Sequence, residues 1–152
     1  MAVNQDLIGR EFPPTAPYLV GREKVREFAR AVFADAPQHT DVEAARAAGY
    51  ADVVAPPTFA MVIQDLTLQQ LLGDENAGIE LSRTVHAEQR FRYSRPIVAG
   101  DELTAQLRVT GIRMMGGNAM ITSETEIVDD EGAHVVTATT VLLVGAEEGE
   151  DA

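Results

Sequence analysis

The residues best suited to chemistry are an acid and an imidazole, Asp35 and His39, which lie four residues apart in a polar segment. Both side-chain types exchange protons, and histidine does so close to neutral pH. An apolar segment, residues 58–66, follows and is too hydrophobic for a surface helix. We therefore expect the reactive end of a ligand where this polar loop runs into a buried helix.

Three predicted helices surround the loop. The first, residues 22–33, is amphipathic, and a short second helix covers residues 42–48 and ends at Gly49. Pro57 suits the first turn of the third helix, which is predicted to be buried. The apolar face of this helix repeats at helical spacing and consists of Phe59, Val62, Ile63 and Leu66. Two glutamines then interrupt the pattern, so the predicted helix ends near Leu66.

Strand-like segments dominate the rest of the chain. The first two alternate apolar and polar side chains, which is typical of strands with one buried face. Gly116-Gly117 and the turn at residues 129–132 separate the later ones. The four predicted strands are residues 86–93, 103–115, 118–128 and 134–144. A short extended segment, residues 18–20, suits the edge of the same sheet.

This layout predicts an α+β fold. A buried helix needs apolar surface on most sides, and an antiparallel meander of four long strands that curls around it provides that surface. The prediction is a single hot-dog fold, an antiparallel β-sheet wrapped around a central buried α-helix. We expect one domain over residues 1–146 and an acidic flexible tail over residues 147–152. The sheet leaves an edge strand exposed, and this predicts a dimer.

Composition excludes several other kinds of site. The sequence has no cysteine, which excludes disulfides, thiolate catalysis and cysteine-based zinc sites. The three histidines have no short ligand spacing and no glycine-rich loop follows a strand, so we predict neither a metal nor a nucleotide cofactor. A net charge of −12 disfavours nucleic-acid binding. No apolar run is long enough for a membrane span and the start of the chain lacks a signal pattern, so we expect a cytoplasmic protein.

Basic side chains are unevenly distributed. Four of them lie close together in the sequence, namely Arg83, Arg90, Arg92 and Arg95. One interpretation is an anionic ligand or carrier, for which Arg90 and Arg92 are the candidate contacts. The other is an ordinary solvated face in which these arginines pair with Glu88.

Several short segments together resemble the MaoC-like (R)-specific hydratase and dehydratase family. They are Glu43-Ala44-Ala45-Arg46, Gly49-Tyr50, Ala55-Pro56-Pro57-Thr58-Phe59 and Pro96-Ile97-Val98-Ala99-Gly100-Asp101. The resemblance spans residues 7–143 and points to the N-terminal dehydratase-type subgroup, which includes proteins like the non-catalytic subunit of mycobacterial (3R)-hydroxyacyl-carrier-protein dehydratase. It implies hot-dog folds that pair side by side and bind acyl thioesters along their interface. It implies no cofactor, since dehydration moves only protons and water.

The catalytic members of that family carry an aspartate and a histidine five residues apart, together with a glycine N–H at the start of the central helix. This sequence keeps the imidazole at His39 but has Ala34 at the aspartate position and Ala36 at the asparagine position. Asp35 is displaced by one residue, which in an extended loop turns its carboxylate to the other side. Pro57 stands at the glycine position and has no N–H to donate.

These departures favour a subunit of a (3R)-hydroxyacyl-thioester dehydratase of fatty-acid metabolism that acts on acyl-ACP or acyl-CoA, with a related subunit supplying the intact Asp/His pair. In this interpretation the residues that line the acyl channel are Tyr50, Pro57, Thr58, Phe59, Val62 and Ile63. Three alternatives stay open. They are a self-sufficient homodimeric (R)-specific enoyl hydratase using Asp35 and His39, a hot-dog thioesterase using Asp65, and a non-enzymatic acyl-binding protein.

Overall fold

The computed structural model describes residues 1–147 and residue 149, and within them it has three α-helices and five strands. The helices are α1 (Arg22–Ala31), α2 (Val42–Ala47) and α3 (Ala60–Leu72). The strands are β1 (Tyr18–Leu19), β2 (Thr84–Tyr93), β3 (Glu102–Met115), β4 (Asn118–Val128) and β5 (His134–Val144). The acidic tail predicted at residues 147–152 lies outside the described residues, apart from Glu147 and Gly149.

The strands form one antiparallel sheet in the order β1-β3-β4-β5-β2. The predicted meander order is wrong for β2, which pairs with β5 from Thr84–Val144 to Tyr93–Val136 and makes no ladder with β3. The reason is that residues 94–101 cross the end of the sheet, so that β5 lies between β4 and β2. Strand β2 therefore forms one edge of the described sheet, and the two-residue strand β1 forms the other.

Helix α3 lies against the inner face of this sheet. A 3-10 turn, Pro57–Phe59, leads into it, and the helix continues six residues past the predicted end at Leu66. The buried stripe recurs at helical spacing and consists of Ala60, Ile63, Gln64, Thr67, Leu68 and Leu71. The predicted apolar face is therefore wrong at Leu66, which is 40% exposed because it projects from the side of the helix that the sheet does not cover.

Helices α1 and α2 hold the loop that carries the predicted acid and imidazole. The Phe28 ring of α1 packs edge-to-face on the Phe59 ring, with centroids 5.4 Å apart. Helix α2 is N-capped by Asp41, whose carboxylate accepts the Glu43 N–H at 2.9 Å. Among the described residues, no helix is long and apolar enough to cross a membrane. The Phe28–Phe59 contact thus holds α1, which precedes this loop, against the start of the central helix.

Candidate functional site

A cleft of about 510 Å³ opens beside the first turn of the central helix. Three chain segments line it, and the lining residues are Gln38, His39, Tyr50, Val54, Ala55, Pro57, Tyr93, Ser94, Arg95, Pro96 and Ile97. Apolar walls with a few polar groups are typical of small-molecule sites. This lining holds one imidazole and no carboxylate.

His39 is held in a defined orientation. It ends a 3-10 turn that begins at Pro37, and its Nδ1 lies 2.6 Å from the Val54 carbonyl oxygen. Because a carbonyl oxygen only accepts, Nδ1 carries the proton, and Nε2 of the neutral ring is left as an acceptor. The Val54 N–H donates in turn to the Gln38 carbonyl oxygen at 2.9 Å. The cleft thus contains an imidazole in the tautomer that a general base requires.

The structure does not bring the predicted acid and imidazole together in this cleft. Asp35 is exposed, and its side chain is not part of the lining. The extended backbone at Ala36 (φ −62°, ψ 136°) separates it from the turn that carries His39. The methyl side chains of Ala34 and Ala36 cannot replace the missing carboxylate.

The predicted substrate contacts divide into two groups. Tyr50 and Pro57 line the cleft. The other four predicted contacts lie outside its lining, and they are Thr58, Phe59, Val62 and Ile63. Thr58 is exposed, whereas Phe59 and Ile63 are fully buried in the core between helix and sheet. Phe59 and Ile63 are therefore closed off from solvent in the described structure, and Val62 is half-buried beside them.

Tyr93 is a cleft residue that the sequence analysis did not select. Its hydroxyl donates to the Pro57 carbonyl oxygen and joins the end of β2 to the start of the central helix. Burial raises the pKa of Tyr93 to about 12 because it disfavours the phenolate, an effect that the nearby Ala60 N–H partly offsets. The alternation of apolar and polar residues in β2 already predicted that Tyr93 faces inward. It did not predict which strand β2 pairs with, and the contact of Tyr93 with the central helix depends on that pairing.

Ser94 lies at the end of a hydrogen-bonded relay that leads from the outer face of the sheet to the cleft. The Glu126 carboxylate only accepts, so the Thr137 hydroxyl donates to it at 2.7 Å. That hydroxyl accepts from His134 Nε2, also at 2.7 Å. In the tautomer that carries its proton on Nε2, the His134 ring accepts a hydrogen bond from the Ser94 hydroxyl at Nδ1, 2.5 Å away. In that tautomer the Ser94 oxygen remains an acceptor at the cleft.

Arg95 fixes the turn that forms one wall of the cleft. Its guanidinium donates to both Asp101 carboxylate oxygens, at 2.9 and 3.1 Å, and reaches Asp129 at 3.5 Å. The hydrogen bonds to Asp101 raise the pKa of Arg95 further above its usual value. Asp101 also accepts the Val98 N–H at 2.9 Å. Arg95 therefore acts as a support for the segment Pro96–Asp101 and is not available as an unpaired cation.

The two predicted carrier contacts lie away from the cleft, on the outer side of β2. Arg90 is paired with Glu88 at 2.5 Å, as the alternative interpretation expected. Arg92 is exposed and has no ion pair among the described residues. No cluster of metal-ligating side chains occurs within the part of the chain that the structure describes.

The curled sheet, the central helix and the cleft at its first turn define a hot-dog protein of the dehydratase type. The family model for the FAS1-like dehydratase domain region matches residues 6–138, and the chain belongs to this MaoC-like hot-dog dehydratase family. The fold prediction is thereby confirmed.

Similar sequences and structures agree with this assignment. A UPF0336 protein of Clavibacter michiganensis is 61% identical over the full length of both chains, and the UPF0336 protein Lxx02810 of Leifsonia xyli is 59% identical over 96% of this chain and 98% of its own. Among solved structures, a chain of the truncated HadBC (3R-hydroxyacyl-ACP dehydratase) complex of Mycobacterium tuberculosis is 32% identical, with a TM-score of 0.83 over 91% of this chain and 97% of that chain. The (R)-hydratase of A. caviae shares the fold at 24% identity, with a TM-score of 0.66 over 92% of this chain and 96% of that chain.

Proposed function

We propose that this chain is a subunit of a (3R)-hydroxyacyl-thioester dehydratase in fatty-acid metabolism, acting on acyl-ACP or acyl-CoA. The observation that carries the proposal is a formed cleft with one oriented imidazole, His39, and no carboxylate in its lining. Dehydration needs one group to take the Cα proton and another to protonate the departing hydroxyl, which leaves as water. A related hot-dog subunit that brings an intact Asp/His pair would supply the missing group.

The similarity to the HadBC complex supports a two-subunit arrangement. That protein is a complex named as a 3R-hydroxyacyl-ACP dehydratase, and this chain covers almost all of the matched chain at 32% identity. The exposed edge of β2 gives a second line of support, because a free strand edge presents unpaired backbone groups to another chain. In the proposed assembly a catalytic subunit covers that edge.

Two catalytic alternatives have less support. A self-sufficient hydratase needs the Asp35 carboxylate in the cleft, but Asp35 is exposed outside the lining. A thioesterase needs an acid near the substrate, and Asp65 is exposed in the middle of α3, since that helix extends to Leu72 instead of ending near Asp65 as predicted. Asp65 is also absent from the cleft lining.

The test is hydration of trans-2-butenoyl thioester, measured with the chain alone and with a catalytic MaoC-like partner added. The matched variant is His39→Asn, because the asparagine amide can still donate to the Val54 carbonyl oxygen while the group at Nε2 is lost. We expect no turnover by the chain alone and turnover by the mixture. Turnover by the chain alone that His39→Asn abolishes would establish the homodimeric hydratase instead, and thioester binding without turnover in any mixture would establish an acyl-binding protein.

The carrier is tested on the outer side of β2. Within this proposal Arg92 contacts an acidic carrier protein or the phosphates of coenzyme A, because its charge has no partner among the described residues. The Arg92→Glu variant should weaken binding of the carrier and leave binding of a pantetheine thioester unchanged. Equal carrier affinity of the variant and the natural chain would remove this contact from the proposal.

A further inference from the structure

Three polar side chains form a closed ring in the interface between the central helix and the sheet. The Gln64 amide donates to the Thr140 hydroxyl at 2.6 Å, and that hydroxyl donates to Gln89 Oε1 at 2.6 Å. The Gln89 amide closes the ring by donating to Gln64 Oε1 at 2.7 Å. Gln64 and Thr140 are fully buried, and Gln89 is half-buried. We call this set of residues, Gln64, Gln89 and Thr140, the amide ring.

The amide ring lies directly inward from the cleft. Three successive pairs of β2 and β5 face the helix, namely Tyr93–Val136 at the cleft, Phe91–Ala138 behind it, and Gln89–Thr140 behind that. Gln89 lies four positions before Tyr93 on the extended strand, which places the ring about 13 Å farther along β2 than the cleft wall. An acyl chain that enters between helix and sheet would meet apolar side chains first and the ring next.

The apolar layer and the amide ring differ in the free energy needed to displace them. Phe91 and Val62 are half-buried and packed on the core, so an entering methylene chain replaces one apolar contact with another. Opening the ring leaves buried amide and hydroxyl groups without partners, because an acyl chain offers no hydrogen bond. The apolar layer can therefore move aside for an acyl chain, whereas the amide ring resists being opened by it.

We propose that the amide ring is the inner limit of the acyl site and restricts the substrates to short- and medium-chain acyl thioesters. This inference rests on the proposed function and adds the length of the chain that the site accepts. An octenoyl chain is shorter than the depth to the ring, and a hexadecenoyl chain is longer. The ring thereby determines specificity without touching the reacting atoms.

The test replaces the ring by apolar side chains of similar size in the triple variant Gln64→Leu, Gln89→Leu, Thr140→Val. Replacing all three together leaves no ring member without its ring partner, and the exposed His86, whose Nε2 lies 3.0 Å from Gln89 Oε1, can turn to solvent. The control is the double variant Thr67→Val, Thr125→Val, which removes another buried hydroxyl pair, with oxygens 2.9 Å apart, from the same helix and sheet. Calorimetry then measures the binding of butenoyl, octenoyl and hexadecenoyl thioesters to each full-length chain.

For the natural chain and the control we expect affinity to rise roughly fourfold per buried methylene from butenoyl to octenoyl, with no further rise to hexadecenoyl. In the ring variant the rise should continue to hexadecenoyl. The inference is overturned if the natural chain gains affinity all the way to hexadecenoyl, or if ring variant and control show the same length dependence. If no thioester binds at any length, the proposed function falls together with the inference.

Discussion

The hydrogen bond from Tyr93 to the Pro57 carbonyl oxygen ties the edge strand to the first turn of the central helix, at the wall of the cleft. The Tyr93→Phe substitution removes the hydroxyl and keeps the ring packed on the core. At about pH 8 this change should lower the free energy of unfolding by about 1 kcal/mol, the usual net value of one intramolecular hydrogen bond.

The pH dependence gives a sharper expectation. Burial raises the Tyr93 pKa from 10.0 to about 12, so the folded protein holds this proton more tightly than the unfolded chain does. The corresponding stability is fully present below pH 10 and is lost as the pH rises toward 12. Over that pH range the natural chain loses stability as the Tyr93 phenol ionises, and phenylalanine has no such loss. The natural chain should therefore be the more stable at about pH 8, and its advantage over Tyr93→Phe should shrink as the pH rises from 10 toward 12.

Urea unfolding followed by circular dichroism at about pH 8 and pH 11 measures this change in the stability difference. Tyr50→Phe is the matched control, because Tyr50 also lines the cleft but its hydroxyl makes no hydrogen bond within the described residues. We expect the control to follow the natural chain at both pH values. The reasoning is refuted if Tyr93→Phe loses as much stability between about pH 8 and pH 11 as the natural chain does.

Two further predictions concern stability. Gly78→Ala should cost more than about 2 kcal/mol, because φ is +70° and the added Cβ would lie 2.1 Å from the backbone oxygen at position 2, whereas Gly116→Ala, with φ +56° and open space, should cost about 1 kcal/mol. Equal thermal shifts for the two variants would contradict the close approach at Gly78. The pKa of Asp129 is lowered, chiefly by the hydrogen bond from the Ala133 N–H and further by other hydrogen bonds and Arg95. The ionised Asp129 carboxylate should therefore stabilise the fold above about pH 4, and this contribution should be lost as the pH falls further. In urea unfolding, Asp129→Asn should reduce the loss of stability that the natural chain shows below about pH 4. An unchanged loss would contradict this role of Asp129.

The local parts of the fold were predictable because local chemistry determines them. The bounds of β4 and β5 match the prediction, since the Gly116-Gly117 turn and the turn at residues 129–132 separate these strands from their neighbours. The position of β2 was not predictable in this way. Nothing in its own residues distinguishes pairing with β5 from pairing with β3, and that choice depends on how residues 94–101 cross the sheet.

The central helix shows why apolar periodicity alone was insufficient. Its buried stripe includes the polar residues Gln64 and Thr67. A prediction from apolar residues alone therefore placed Leu66 on the buried face and ended the helix too early. Their burial becomes favourable only with partners on distant strands, such as Thr140 and Thr125. Tyr93 was missed as a cleft residue for a related reason, since its contact with the helix depends on where β2 lies in the sheet.

The free edge of the sheet and the incomplete cleft are connected features. Strand β2 is the edge, and its last residue, Tyr93, together with the following segment, forms a wall of the cleft. A strand added along that edge would lie about 4.8 Å from β2 and so would run beside the cleft mouth. A partner that covers the edge is thereby positioned to contribute side chains to the cleft. This geometry agrees with the proposed assembly, in which a related subunit on that edge supplies the intact Asp/His pair.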